Sequence, residues 1–305
     1  MTGPGRRALL AAALAGCGAR DRAGRLPGLP TPPDSPLVAL GGLDLGGFGI
    51  GGLSALHIDD HLGLTAISDT GRWLRARLVL APDGAPLGLE DASSGPLRDG
   101  AGAPLGRGYQ GDAEALARTS DGGWLVGFER WHRIRAYRDL DAPGRYVEAP
   151  PGLAAAPYNG GLESLAVLAD GRLLAIAETL RGPGGDVAAW LRAPQGSWST
   201  TAYRPAPGLV ATDICGMADG SVLVLERGFT WLGGFRGRLV DVPAAALSAP
   251  VIEGSTILAL EPPLPTENWE GVSAFRHAGR GLVALVSDDN ESPLQRGLLL
   301  VLGWR

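Results

Sequence analysis

Lysine is absent: all 27 basic residues of the 305-residue chain are arginine. Without an amine side chain there is no Schiff base, no pyridoxal phosphate linkage and no Walker-type phosphate loop. There is no basic tract and the formal net charge is −5, so a nucleic-acid partner would find no electrostatic footprint. Cysteine occurs only at Cys17 and Cys215. No Gly-x-Ser-x-Gly pentapeptide is present, because Ser54 and Ser273 are followed by Ala55-Leu56 and Ala274-Phe275, and this removes the serine-hydrolase elbow. Gly47 to Gly52 matches Gly-x-Gly-x-x-Gly, but the strand-like LSALHI follows it instead of a helix, so no pyrophosphate cradle forms.

What the chain does have is 48 glycines and 24 prolines along its whole length, with 45% hydrophobic and 19% charged residues. That is a globular composition made of many short elements joined by tight turns, so the expected class is all-β. Self-comparison brings out a repeat. NGGLESLAVLADGRLLAIAE from Asn159, DAEALARTSDGGWLVGFER from Asp112 and ATDICGMADGSVLVLERG from Ala211 each place two apolar segments around an Asp-Gly pair. Weaker copies are GLSALHIDDHLGLTAISDTG and NWEGVSAFRHAGRGLVALVSDDN. The anchors at 54, 114, 163, 212 and 270 are 60, 49, 49 and 58 residues apart, close to the period of propeller blades.

Each copy reads as an antiparallel hairpin, so the residue opening its first strand lies beside the residue closing its second. Five hairpins set radially put Ser54, Glu114, Glu163, Thr212 and Glu270 in one ring around a central channel. Asp69, Glu129, Glu178, Glu226 and Asp288 form a second ring outside it. The expected fold is therefore an all-β, five-bladed β-propeller over residues 37–305. PLVALGGL at its start and GLLLVLGW at its end complete one shared blade. Six blades are the alternative if one copy has lost its signature. WLRARLVL and GRLVDV supply outer strands.

So many carboxylates in one funnel raise one another's pKa values unless cations compensate. Arginine is one compensator, and Arg130 and Arg227 directly follow ring acids. A hard ion such as Ca²⁺ is the other. The plainer alternative is that the acids tie neighbouring blades together by accepting backbone N–H bonds. His132, between arginines and just past Glu129, is a candidate acid or base. His57 and His61 are four apart but lie in strand and turn, which is not the helical spacing of a metal pair.

The first residues, MTGPGRRALLAAALAGCGAR, carry Arg6 and Arg7 before an apolar run too short to span a bilayer, and read as an export signal. Residues 1–17 read as a lipoprotein signal peptide with its lipobox: Leu14-Ala15-Gly16-Cys17 resembles the lipobox of bacterial lipoproteins, which implies that Cys17 becomes the lipidated first residue of the mature chain after cleavage before it. The arginine pair also resembles a twin-arginine signal, leaving Sec and Tat export both open. Residues 18–36 are Pro-rich and read as a tether. The expected location is periplasmic or cell-surface, with the membrane engaged through the lipid alone. Cys215 is then left without an internal partner.

GLSAL with SDTGRW, DAEALA with FERWHRIRAY, NGGLESLA with AIAE, DICGMADGSVLVLERG, and NWEGVSAF with LVSDDNESPLQRGLLLVL together resemble the bacterial phytase-like family, described as "esterase-like activity of phytase". The resemblance runs from Gly51 to Leu302. It implies an exported propeller distantly similar to calcium-dependent phytases, hydrolysing phosphate or other esters. The absence of lysine argues against phytate itself. Carried onto this sequence, the resemblance points to Glu114, Glu129, Arg130, His132, Glu163, Glu178, Glu226, Arg227, Glu270, Asp288, Asp289, Asn290 and Arg296.

The resulting expectation assigns catalysis to Glu163, Glu114, Glu270 and His132, and substrate binding to Arg130, Arg227, Arg296 and Asn159. Ca²⁺ would be held among Asp69, Glu129, Glu178, Glu226, Asp288, Asp289 and Asn290. The expected partner is a small-molecule ester or phosphate ester acted on by a monomer. A non-catalytic propeller that binds a ligand or protein at the same face, and a lactonase-like propeller enzyme, are the alternatives.

Overall fold

The structure is a computed structural model that describes residues 23–26, 28–182 and 184–305; Cys17 and the export signal lie outside the described residues. Two strands, β1 (Gly24–Leu26) and β2 (Leu37–Asp44), precede the repeats. Blade 1 is β3 (Leu53–Ile58), β4 (Gly63–Ser68), β5 (Arg72–Leu80) and β6 (Pro86–Pro96). Blade 2 is β7 (Ala113–Arg118), β8 (Trp124–Phe128), β9 (Arg133–Tyr137) and β10 (Arg145–Val147). Blade 3 is β11 (Leu162–Val167), β12 (Leu173–Arg181), β13 (Val187–Arg192) and β14 (Trp198–Tyr203). Blade 4 starts with β15 (Val210–Gly216), β16 (Val222–Thr230) and β17 (Gly234–Val242). The short β18 (Val251–Ile252) then crosses back to pair with β14, and β19 (Ser255–Leu260) completes blade 4. Blade 5 holds β20 (Asn268–His277), β21 (Arg280–Asp288) and β22 (Leu298–Trp304), whose sheet β2 and β1 extend in the order β1-β2-β22-β21-β20.

The ring thus has five blades and is closed by the two ends of the chain, with β2 antiparallel to β22 from Leu37↔Trp304 to Asp44↔Leu298. The longer repeat intervals hold no sixth blade. Their extra residues go to the segment 97–112, and to 243–254 with its 3₁₀ turn. Part of the stretch read as a tether belongs to the sheet: Gly24–Leu26 pairs with β2, and Leu26 packs against Gly42, where any side chain would also meet the Leu299 carbonyl.

The Asp-Gly pairs turn the hairpins as their chemistry requires. Gly122, Gly171 and Gly220 all have φ between +81° and +88°, a region closed to most L-residues. The aspartate before each accepts the N–H two residues on, from Gly123, Arg172 and Ser221.

The core lies between blades, as where Leu225 and Leu239 of blade 4 pack with Trp269, Leu285 and Leu300 of blade 5. Burying each such side chain stabilises the fold by about 1.5–3 kcal/mol. Down the axis, Leu56, Leu116, Leu165, Ile214 and Val272 come one from each inner strand, and all are at most 5% exposed. Each stands two residues after an anchor of the inner ring. An apolar floor therefore closes the channel beneath the ring of acids.

Candidate functional site: a carboxylate funnel

All five inner strands carry a register break, and each break falls on the anchor. Partners jump from Leu53 to Ala55, Ala113 to Ala115, Leu162 to Ser164, Ala211 to Asp213 and Trp269 to Gly271. Ser54, Glu114, Glu163, Thr212 and Glu270 are thus the unpaired residues of five β-bulges. A bulge re-aims its extra side chain and bends the strand. It turns these side chains to the mouth while the rest of the strand keeps its alternation.

Pairing registers also fix the outer ring. Asn268 faces Asp288 and Val210 faces Arg227, while Asp69, Glu129 and Glu178 each follow the second-strand partner of the residue before the bulge. Blade 4 therefore departs from expectation: the outer-ring position is Arg227, and Glu226 is one residue out of register. A one-residue slip sends a strand side chain to the opposite face. Glu226 accordingly points away from the funnel. It accepts Tyr203 Oη–H (2.5 Å), the Ala206 N–H (3.1 Å) and a two-pronged bond from Arg238 (2.6 and 2.9 Å), with no exposed surface. It is a clasp between blades 3 and 4, not a member of the acidic rings.

Other acids share this clasp role. Glu129 Oε1 accepts both Gly160 N–H and Gly161 N–H of the next blade. Asp289 Oδ1 accepts the equivalent Gly52 N–H (3.1 Å), and the fully buried Asp213 accepts Val272 N–H (2.8 Å). Asp288 is satisfied by Asn290 N–H (2.7 Å) and Asn268 Nδ2 (3.3 Å).

Glu114, Glu163, Glu178 and Glu270 are different. Among the described residues none accepts a backbone N–H, and their one cation is Arg227, whose Nη2 lies 2.9 Å from Glu270 and 3.9 Å from Glu178. Oxygens of Glu129, Glu163 and Glu178 all fall within 4.8 Å of one another. Burial pushes the Glu163 carboxyl well above the ordinary range, reinforced by Glu114, Glu178 and Glu270. Burial does the same to Glu114, helped by Asp112 and Glu270. Glu270 is pushed up to about 7 by burial, against the pull of Arg227.

Asp112 is pushed to about 7 by burial although Arg130 Nε sits 2.9 Å from it, and Asp288 is pushed to about 6, also by burial. These acids hold protons in the fold across a range where ordinary carboxyls near 4 have lost them. The folded state binds more protons between about pH 4 and 7, so stability falls as pH rises through that window. The thermal midpoint of chelator-treated protein is expected to fall between about pH 5 and 7.5, and a cation that favours the charged forms should flatten the decline.

The remaining expected residues are placed unevenly. Arg130 stands on the rim in a left-handed conformation (φ 54°), paired with Asp112 and 5.7 Å from the Tyr158 ring. His132 is half-buried. Its Nε2 is 3.0 Å from the Pro157 carbonyl, and since a carbonyl only accepts, Nε2 donates; Nδ1 is buried without a partner among the described residues. A Cβ on Gly161 would sit 2.2 Å from that Nδ1. Gly161→Ala is expected to cost about 1–3 kcal/mol in denaturant unfolding, and His132→Ala in the same chain should recover part of it.

Arg296 is not brought to the cluster; it is bound to Glu267 at 2.6 and 2.8 Å. Asn290 and Asn159 are exposed, the former bonded to Gln295 Oε1 (2.6 Å). Sequence reasoning missed Asp112, Asn268 and Asp213. The first two stand two residues before an inner-ring anchor, so extending the repeat register by two residues would have found them. Asp213 was visible as a lone acid in the buried strand VATDICG.

The donor set suits a hard cation. Oxygens sharing one Ca²⁺ at about 2.3–2.6 Å are at most about 5.2 Å apart, and Glu129, Glu163 and Glu178 meet that limit. Asp69 Oδ1 and Asn268 Oδ1 are further buried oxygens without a partner among the described residues.

Among solved structures, the chain is similar to an α-L-arabinofuranosidase from Podospora anserina, at 12% identity over 92% of this chain and 96% of that one, with a TM-score of 0.52. A gluconolactonase from Xanthomonas campestris aligns at 12% identity over 94% of this chain and 100% of that one, TM-score 0.46. Virginiamycin B lyase from Staphylococcus aureus aligns at 11% identity over 81% of this chain, which spans 65% of the lyase, TM-score 0.42. Such likeness concerns the propeller fold alone. No curated protein matches. Residues 49–291 match the sequence model of the family described as "Phytase-like: Esterase-like activity of phytase", and on that match over most of its length the chain belongs to the phytase-like family.

Proposed function

We propose that the chain is a hydrolase of ester bonds, phosphoesters foremost, working at the carboxylate funnel with Ca²⁺ as cofactor. The observation that carries this is the convergence of Glu129, Glu163 and Glu178 within 4.8 Å, two of them without a backbone donor. Membership of the phytase-like family supports the ester substrate. Glu129, Glu163 and Glu178 would hold the ion, with Asp69, Asp288 and Asn268 on the neighbouring rim. Bound there, calcium would polarise an ester oxygen and acidify water.

The chain's own groups do the rest. Glu163, in its ionised form, takes a proton from the attacking water. Glu270, close to half-protonated at neutral pH, returns a proton to the leaving oxygen. Arg227 and the rim residue Arg130 bind the anion with their guanidinium forks, and Asp112 orients Arg130. His132 is a positioning residue that braces the Pro157–Gly161 turn beneath Glu129's contacts. The enzyme acts as a monomer, exported and anchored through lipid on Cys17.

The test is hydrolysis of a phosphomonoester, a short acyl ester and a lactone by the purified protein, each with calcium and with chelator. Calcium-dependent turnover of the phosphomonoester is expected; turnover of the lactone alone would favour a lactonase, and no turnover of any substrate would sink the proposal. A non-catalytic propeller draws support from the clasps of Glu226, Glu129, Asp213 and Asp289, which are structural wherever the chemistry lies.

A further inference from the structure

At the end of the propeller opposite the funnel, where the first hairpins turn, a cavity of about 240 Å³ opens between blades 1 and 2. One wall is a cross-strand row of blade 1, with His57 opposite Thr65 and Thr65 opposite Arg75. The facing wall is a row of blade 2, Arg118 opposite Trp124, extended by Arg138. Trp124 organises the space. His57 meets it edge-on at 5.3 Å between ring centroids, and the Arg118 guanidinium lies 4.4 Å over its face.

The charges in this cavity are not balanced internally. Arg75 is committed to Asp139, and Asp59 Oδ1 to the N–H groups of His61 and Gly63. Among the described residues neither Arg118 nor Arg138 is paired with a carboxylate. Three guanidiniums against two carboxylates leave the lining positive on a chain whose net charge is −5. His57 is held neutral, its pKa pushed down to about 4 by burial and then by Arg118, so its ring supplies a hydrogen bond without a charge. The volume is below the roughly 300–1,000 Å³ of sites for larger ligands, which points to a small group.

We infer that this cavity binds a small oxyanion, a phosphate or a carboxylate, between the Arg118 and Arg138 guanidiniums, with His57 and Thr65 donating hydrogen bonds to it. Guanidinium forks match the paired oxygens of both groups. The apolar floor of the channel separates this site from the funnel, so its occupancy is independent of the chemistry proposed there.

Inorganic phosphate and, separately, acetate are titrated into the whole protein at constant ionic strength, following the Trp124 indole N–H and His57 imidazole resonances. Saturable shifts of both resonances are expected with at least one anion, and which anion saturates tells a phosphate site from a carboxylate site. Arg118→Gln, or Arg138→Gln if the first does not fold, should weaken that binding at least about tenfold, a loss of about 1.4 kcal/mol. Glu163→Gln should leave it unchanged. The inference is overturned if neither anion gives saturable shifts at millimolar concentration, if chloride shifts the resonances equally, or if a folded arginine variant binds as the wild type does.

Discussion

Glu163→Gln is expected to lower kcat/KM for ester hydrolysis by a factor of about 10² to 10⁴, the range for loss of a positioned proton acceptor. The amide keeps the shape of the carboxyl but can neither take a proton nor hold a cation. A second, opposite effect separates this from damage to the fold. The wild-type carboxyl is buried with Glu114, Glu178 and Glu270 around it and no backbone donor, so an amide relieves repulsion there. In chelator the variant should melt at or above the wild-type temperature; in calcium it should melt below, having lost stabilisation that grows as RT ln(1 + [Ca²⁺]/Kd). A variant that melts lower under both conditions with activity intact would make Glu163 a clasp.

Glu226→Ala should have the largest effect on stability. Removing this carboxylate takes the shared acceptor from the buried Tyr203 Oη and from the partly buried Arg238 and Ala206 N–H. Breaking a buried ion pair from one side costs about 3–5 kcal/mol, which should appear as a lowered denaturant midpoint with unchanged slope. Because the side chain faces away from the funnel, kcat and KM of the folded fraction should stay within about twofold of wild type. A large loss of activity without loss of stability would return Glu226 to the functional rings.

These two glutamates show what was legible in the sequence and what was not. Three hairpins could be counted because an apolar strand, an Asp-Gly turn and a second apolar strand recur at nearly fixed length, and the two weaker copies, which lack the Asp-Gly pair, followed from the spacing of their anchors. The same geometry placed both mouth residues at one end of each blade. Closure by the two chain ends followed from two unpartnered apolar strands at the termini.

Side-chain direction was not legible, because it depends on single-residue register. In blades 2 and 3 the second acid stands eight residues after the turn aspartate; in blade 4 it stands seven after, and Arg227 stands eight after. That one residue moves Glu226 from a ring to a clasp and puts the compensating cation inside the ring. The bulges that aim Glu114, Glu163 and Glu270 inward carry no mark in the sequence, since any residue type can be the extra one. The split between acids that clasp and acids that stand open is set by neighbouring blades, whose contacts are non-local.

The central claim is that the open carboxylates of the funnel share a divalent cation. Calorimetric titration of Ca²⁺ into chelator-stripped protein near pH 6.5 tests it most directly, because Glu270, Asp112 and Asp288 carry part of their protons there. Saturable binding accompanied by proton release, and abolished by Glu163→Gln but not by Glu226→Ala, is the predicted result. Absence of binding, or binding without proton release that survives Glu163→Gln, would contradict the account.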